Sequence, residues 1–344
     1  VVCPTVCRTV KLFINEILKQ VMSNNFVYAG IDIGATNIKF GLVSQEGKIL
    51  YREQRPTLVE KGPEPLMHLV TNISESLLYY AADEDYEVRW LGVGTPGAVD
   101  NREGRVIGSC PNIPGWEGME IGRTLSERLN MRILVDNDVN LMALAEARFG
   151  AAVGYKSVIC VTVGTGIGGG IILDGKLWRG ANYTAGELGH ISIDMNGPEC
   201  RCGNRGCIEA YCSSGAILKR AMSKMKNNLT PIFEELLDGS PENLNIKKLF
   251  MAAKKEDEIA VEVLNESAEY LGIGLAGIVN LFNPDIVVIG GGVADGGAVF
   301  INRVANKIKE HAFKPATQNL RVTRATLGND AGFIGAGILG EMII

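Results

Sequence analysis

One pattern occurs twice in this chain. Ile33-Gly34-Ala35-Thr36 and Val163-Gly164-Thr165-Gly166 each join two β-type runs, and the runs on either side line up. The first copy predicts short strands over residues 27–33, 38–43 and 49–54, with turns at 34–37 and 45–47. The second predicts strands over 157–163 and 170–173, with turns at 164–169 and 174–176. Helices and further buried strands follow each copy. A duplicated hairpin-plus-helix unit must bury the same faces twice, which narrows the fold more than any other feature of the sequence.

Between the copies, Leu66, Leu69, Val70, Ile73, Leu77 and Leu78 recur at helical spacing within 64–82. Strands are predicted over 88–93 and 132–135, and helices over 121–129 and 139–149. After the second copy, helices are predicted over 214–226, 245–254 and 256–282, the last closed by Asn283-Pro284. A buried strand over 285–289 enters Gly290-Gly291-Gly292. A helix over 299–311, a strand over 320–325 and a glycine-rich helix over 331–342 end the chain. At 344 residues two lobes are expected. One covers 26–138, with a terminal helix over 328–344 packing back on it. The other covers 139–327 and carries a cysteine loop at 190–209. Residues 1–25 read as an N-terminal extension. The chain begins without Met, and Met22-Ser23-Asn24-Asn25 looks like a start just ahead of the first strand. Residues 1–21 are therefore expected to be an over-extended gene model, the rival being an amphipathic helix over 10–21.

Composition excludes several classes. With 46% hydrophobic and 21% charged residues the chain has ordinary globular content. Its net charge of −5 and dispersed Lys and Arg argue against nucleic acid. No apolar run approaches the roughly 20 residues of a membrane span. Eight cysteines, at 3, 7, 110, 160, 200, 202, 207 and 212, form an even set. Yet there is no secretory signal, and Cys160 falls within an apolar strand pattern, so a reducing cytoplasm fits better than disulfides.

Chemistry concentrates between Glu187 and Glu209. Glu187-Leu188-Gly189-His190 is followed by Cys200-Arg201-Cys202-Gly203-Asn204-Arg205-Gly206-Cys207, then Ile208-Glu209. Three thiols and an imidazole are a common structural zinc set. The bland alternative is reduced thiols packed as small apolar residues. If His190, Cys200, Cys202 and Cys207 share one Zn²⁺, Glu187 and Glu209 are drawn into the same small region. His190 can then give one ring nitrogen to the metal and keep the other for a ligand. Zinc would set the geometry of polar groups facing a polyhydroxylated substrate without doing chemistry, and the glycine turns would be untouched by it.

Glycine turns between strands expose backbone N–H groups that can surround phosphate oxygens. One such turn in each copy, with the triple glycine at 290–292, suggests a nucleotide held from two sides. A dinucleotide fold is disfavoured, because a strand pattern rather than a helix follows Gly164–Gly169. Asp32 ends the first strand, where a carboxylate can meet phosphates only through Mg²⁺; a plain strand-end cap is the alternative. Lys39 can approach phosphate or simply be solvated. Asp138 follows the 132–135 strand and suits the acid that takes a proton from an attacking hydroxyl, with Asn137 beside it for sugar hydroxyls. Either Asp136 or Asp138 can instead cap the next helix.

These residues resemble the ROK family (repressors, open reading frames and sugar kinases) over nearly everything from Val27 onward. Asp32-Ile33-Gly34-Ala35-Thr36-Asn37-Ile38-Lys39 is similar to its first phosphate motif, Gly164–Gly170 to its second, and Glu187–His190 with the three thiols to its zinc signature. The resemblance implies an α/β, actin-like (ribonuclease H-like) ATPase fold with two lobes around a cleft. It implies Asp138 as catalytic base, and Asn137, Glu187, His190 and Glu209 as sugar ligands. It further implies ATP contacts from Asp32, Gly34, Thr36, Asn37, Lys39, Gly164, Thr165, Gly166, Gly168 and Gly292. The stretches Gly94-Thr95-Pro96-Gly97-Ala98-Val99-Asp100 and Pro111-Asn112-Ile113-Pro114-Gly115-Trp116 resemble the bacterial glucokinase branch, adding Gly97 and Asn112 to the sugar contacts. Ala98 stands where N-acetylmannosamine kinases carry Arg and argues against that branch. The expectation is an ATP- and Mg²⁺-dependent glucose 6-kinase, cytoplasmic, and homodimeric as the family implies. Alternatives are kinases for fructose, mannose or N-acetylmannosamine, a sugar-responsive transcriptional regulator with a DNA-binding domain in front, and an actin-like filament protein.

Overall fold

Both predicted hairpins form, and each seeds a five-stranded sheet. In the computed structural model, which describes residues 25–108, 110–226 and 229–343, the chain divides into two compact units. One runs to Asp138 and takes up the chain again at Gly332; the other is Val139–Ala331. Both readings of residues 1–21 fall outside the described residues.

The first unit contains β1 (Val27–Ile33), β2 (Asn37–Ser44), β3 (Ile49–Pro56) and β4 (Trp90–Thr95), a small hairpin of β5 (Val99–Asp100) and β6 (Arg105–Val106), and β7 (Arg132–Asn137). Its main sheet has the order β3-β2-β1-β4-β7. The hairpin strands are antiparallel, whereas β4 and β7 run parallel to β1. The second unit contains β8 (Val158–Val163), β9 (Ile167–Leu173), β10 (Lys176–Leu177), β11 (Ile286–Gly290) and β12 (Arg321–Arg324) in the order β10-β9-β8-β11-β12. Here too the hairpin is antiparallel and β8, β11 and β12 are parallel. The repeat is thus one of topology as well as of sequence.

In the first unit, helix Pro63–Asp83 buries Leu66, Met67, Val70, Ile73, Leu77 and Ala81, the 3.6-residue stripe that the sequence carries. The terminal helix Ala331–Ile338 packs by a different device. Gly41, Gly30 and Gly92 are register neighbours across β2, β1 and β4. A Cβ at Gly30 would lie 1.9 Å from the Phe333 carbonyl oxygen, and one at Gly92 would lie 1.8 Å from that of Ala336. The sheet has a row without side chains, and the helix backbone lies in it. Trp90 Nε1 donates to the Gly337 carbonyl at 2.6 Å and fixes the helix along the row.

The second unit is built around helix Glu258–Phe282, capped by the Asp257 carboxylate accepting from Ala260 N at 2.8 Å. Glu146, fully buried on helix Asp138–Phe149, accepts from Ala151 N, Thr326 N, Thr326 Oγ1 and Leu327 N, and so ties the last stretch of the unit to its first helix.

Some boundaries differ from expectation. The strand predicted over 88–93 is Trp90–Thr95, because its partner β7 extends pairing to Thr95 and Asn137. The β5–β6 hairpin and the short helix Pro231–Leu237 have too few residues to show a period. The turn predicted over 164–169 closes within 164–166, and β9 begins at Ile167. Its glycines serve packing instead. A Cβ at Gly168 would stand 2.6 Å from Val139 Cγ2, one at Gly170 2.7 Å from Ala143 Cβ, and one at Gly169, on the opposite face, 2.4 Å from Leu188.

Replacing Gly92 by Ala should push the terminal helix off its row. The expected cost is about 1–3 kcal/mol or more, as for other overpacked cores. Urea unfolding should show a lower midpoint at an unchanged slope; a midpoint equal to the parent's would show that the helix does not depend on the row.

Candidate active site

In the first unit the parallel strands end in a row of polar groups. Asp32 of β1 is the register neighbour of Gly94 in β4, which neighbours Asp136 in β7; one step on, Thr95 neighbours Asn137. Ligands of open α/β sheets bind beyond such carboxyl ends. Asp136 is buried and accepts from Asn137 N at 2.8 Å. Asn137 Nδ2 donates to the Gly97 carbonyl at 3.1 Å and joins that loop to β7. Asp138 is the first residue of helix Asp138–Phe149 rather than the residue before it, and an acid in the first helical turn is favourable. Asn112 is exposed on the loop after Cys110.

Three contributors to this end of the sheet escaped sequence reasoning. Trp116 is wholly buried, and its Nε1 donates to Thr95 Oγ1 at 2.7 Å, so the Pro111–Trp116 loop is anchored at the end of β4. Cys110 is buried; burial pushes its thiol up, the Ile113 and Asn112 N–H groups pull it back, and the Asp138 charge adds to the rise. Thr57 Oγ1 donates to the Gly34 carbonyl at 2.6 Å, and Thr57 N donates to the Thr36 carbonyl at 3.0 Å. The first glycine turn thus has its carbonyls held from inside. Ala98 is buried, and its carbonyl accepts from Ile107 N and Gly108 N, with its Cβ facing Gly108.

The first turn runs from Gly34 to Thr36, closed by Gly34 N donating to the Asn37 carbonyl at 3.1 Å. Asn37 opens β2, and Lys39 is the cross-strand neighbour of Asp32. Burial raises the Asp32 carboxyl to about 6, against a smaller opposing pull from Lys39.

The second unit repeats the turn. Gly164 N donates to the Gly166 carbonyl at 2.9 Å, leaving Thr165 exposed at the tip. Ser214 N donates to the Gly164 carbonyl at 2.7 Å, as Thr57 does to Gly34. Gly291, at φ +85°, lies against Val163, and Val293 N donates to the Val163 carbonyl at 3.0 Å. The triple glycine therefore lies beside this turn, with open space around the Cα of Gly292. Gly168 does not belong to it: it lies inside β9, facing Val139.

His190, Cys200, Cys202 and Cys207 come together as the spacing predicts, their ligand atoms all within 4.8 Å of one another. Cys200 Sγ is 3.6 Å from His190 Nδ1, and Cys202 Sγ is 3.7 Å from Cys207 Sγ. A tetrahedral zinc with usual bond lengths needs about 3.6 Å between N and S and about 3.8 Å between two S atoms, so this donor set fits the ion. With Nδ1 on that side, His190 Nε2 faces Glu187 Oε2 at 3.8 Å. Glu187 is exposed. Glu209 is not a second free flank: its Oε2 accepts from Ile167 N at 2.9 Å, directly at the end of the second glycine turn. This bond links the end of the cysteine loop to the second glycine turn.

The raised Asp32 carboxyl has a consequence for stability. Between the ordinary 3.8 and about 6, the folded state holds the proton more tightly than the unfolded chain, so stability falls as pH rises through that window. Above it the charged form costs at most about 3 kcal/mol, and less because part of the residue reaches solvent. Asp32→Asn should therefore melt higher than the parent at pH 8 without nucleotide, and the gap should close near pH 4. A variant that melts lower at pH 8 would contradict this.

Residues 28–342 match the ROK family. The glucokinase of Thermotoga maritima is 36% identical over 307 residues, covering 89% of this chain and 95% of its own length. The xylose repressor of Caldicellulosiruptor bescii is 29% identical over 95% of this chain and 82% of its own. Among solved structures, a ROK family glucokinase from Streptomyces griseus in complex with glucose and AMPPNP superposes with a TM-score of 0.78 at 33% identity, covering 91% of this chain and 98% of its own. With the duplicated sheets, the two glycine turns and the Cys3-His cluster, these likenesses establish that the chain belongs to the ROK family and has the actin-like ATPase fold of its kinases.

Proposed function

We propose that this chain transfers the γ-phosphoryl group of ATP to the 6-hydroxyl of glucose, giving glucose 6-phosphate and ADP. The observation that carries this reading is the polar row at the strand ends of the first unit, where Asp32 and Asp136 flank Gly94, Asn137 donates to the Gly97 carbonyl and Asp138 follows it in the chain. The glucokinase relatives support the choice of sugar. Asp138 accepts the proton of the 6-hydroxyl as its oxygen attacks the γ-phosphorus. Asn137, Gly97 and Asn112 orient the sugar, and Glu187, His190 and Glu209 bind its ring hydroxyls. The N–H groups of the turns at 34–36 and 164–166, with Gly292, cradle the phosphates, and Lys39 and Asn37 flank the first turn. Mg²⁺, when bound with ATP, neutralises phosphate charge beside Asp32. Zinc held by His190, Cys200, Cys202 and Cys207 fixes His190 and the loop geometry and takes no part in the transfer. The homodimer implied by the family and the reducing cytoplasm that suits the cysteines belong with this reading. Among the described residues no helix is long and apolar enough to cross a membrane.

Because a xylose repressor is among the relatives, sugar binding without phosphoryl transfer is the reading to separate. ADP release should be measured with glucose, mannose, fructose and N-acetylmannosamine. Glucose should have the highest kcat/KM, and Asp138→Asn should lower kcat by about 10²–10⁴-fold while sugar affinity changes much less. If fructose or N-acetylmannosamine exceeds glucose by roughly tenfold, about 1.4 kcal/mol, the sugar assignment falls. If no hexose releases ADP, sugar sensing replaces catalysis.

Elemental analysis should find one zinc per chain, lost in Cys207→Ser together with most of the activity. Active protein prepared without chelator and free of zinc would sink the metal assignment.

A further inference from the structure

We propose that Glu209 is a positioning residue for the nucleotide turn, and that the cysteine loop sets ATP affinity through it even when no sugar is bound. The proposal rests on the reading of 164–166 as a phosphate cradle.

The turn is gripped at both ends by one segment of chain. Ile167 N donates to Glu209 Oε2 at 2.9 Å on one side, and Ser214 N donates to the Gly164 carbonyl at 2.7 Å on the other. A Cβ at Gly166 would lie 2.7 Å from Glu209 Oε2, so the turn sits flush on the carboxylate with no room for a side chain between. Glu209 is the second residue of helix Ile208–Cys212, which starts one residue after Cys207, and Ser214 lies two residues past its end. Cys207 is fully buried, its sulfur faces Cys202 Sγ, and Ile208 N donates to the Ile191 carbonyl at 2.9 Å. The four metal-ligand side chains therefore fix the start of that helix, and the helix fixes the turn. A cradle made of backbone N–H groups works only if the backbone is held before the phosphate arrives, since ordering it on binding subtracts from affinity. Glu209 holds it by accepting from Ile167 N, which any side-chain oxygen at that place can do.

Sugar-free binding tests this, because a residue that only contacts sugar has no effect there. Binding of Mg·AMPPNP is measured by calorimetry on zinc-loaded parent, Glu209→Ala and Glu209→Gln. The alanine variant should bind at least fivefold more weakly, about 1 kcal/mol. The glutamine variant, whose amide oxygen still accepts from Ile167 N, should stay within twofold of the parent. Chelating the metal from the parent should weaken nucleotide in the same way as alanine. In parallel, hydrogen exchange at the Ile167 amide should be slow in the parent and fast after chelation, a readout that does not need the alanine variant to fold. Parental nucleotide affinity in folded Glu209→Ala, or an Ile167 amide indifferent to chelation, overturns the proposal. A parent that binds no nucleotide overturns the phosphate reading itself.

Discussion

The second unit depends on one strand that has almost no side chains at its start. Gly168, Gly169 and Gly170 let helix Asp138–Phe149 press on one face of β9 and the Gly186–Leu188 stretch on the other. Any Cβ at these positions would overlap a neighbour, so the side chains of Val139, Ala143 and Leu188 and the carbonyls of Val139 and Gly186 pack directly on the strand backbone. Three elements are registered on β9 as a result: the helix that begins with Asp138, the Glu187–His190 segment, and the turn that ends at Ile167. The first unit uses the same device at Gly30 and Gly92 to seat its terminal helix. Packing against bare backbone is stiff, because the glycine side of the contact has no rotamers to absorb an error. It suits a site whose polar groups have to be placed within tenths of an ångström.

Much of this was legible in the sequence. The hairpins, the long helices and the cysteine cluster follow from period, punctuation and ligand spacing, which are local properties. The turn residues Gly34 and Gly164 were found because both copies carry them. What failed was long-range. The glycine run from 164 to 169 reads as one continuous turn, and only the neighbours brought by folding divide it into a tight turn and a strand. Thr57 and Trp116 lie on different stretches from the groups they hold, Gly34 and Thr95, and their spacing gives no sign of the pairing. Glu209 was identified as a flank of the cysteines, but its partner Ile167 is forty-two positions earlier.

The charges in the site follow one logic. Asp32 is surrounded closely enough that its carboxyl rises to about 6, so near neutral pH it is mostly charged at a cost that the fold absorbs. A carboxylate in that condition gains when a cation arrives, and a bound Mg·nucleotide would return stability that the empty protein lacks. Asp136, next but one in the same row, is buried and takes a local backbone donor instead. Of two carboxylates at strand ends on either side of β4, one is hydrogen-bonded as part of the framework and the other is left in a costly environment. Local destabilisation of this kind is expected where a ligand, and not the fold, supplies the compensating charge.

The same reasoning limits what the Cys3-His cluster can do. Four protein ligands within 4.8 Å of one another would complete the usual structural coordination of zinc and leave no position for water or substrate. An ion in such a closed set has no Lewis-acid role toward a hydroxyl, and phosphoryl transfer needs none from it, since positioning and charge neutralisation carry that reaction. Its contribution has to be mechanical, through the residues whose backbone it fixes. The bonds between Glu209 and Ile167 and between Ser214 and Gly164 would extend that influence to the turn at 164–166, and His190 Nε2 would extend it toward Glu187. One closed metal site would then hold the geometry for both substrates, although it touches neither reacting oxygen nor phosphorus.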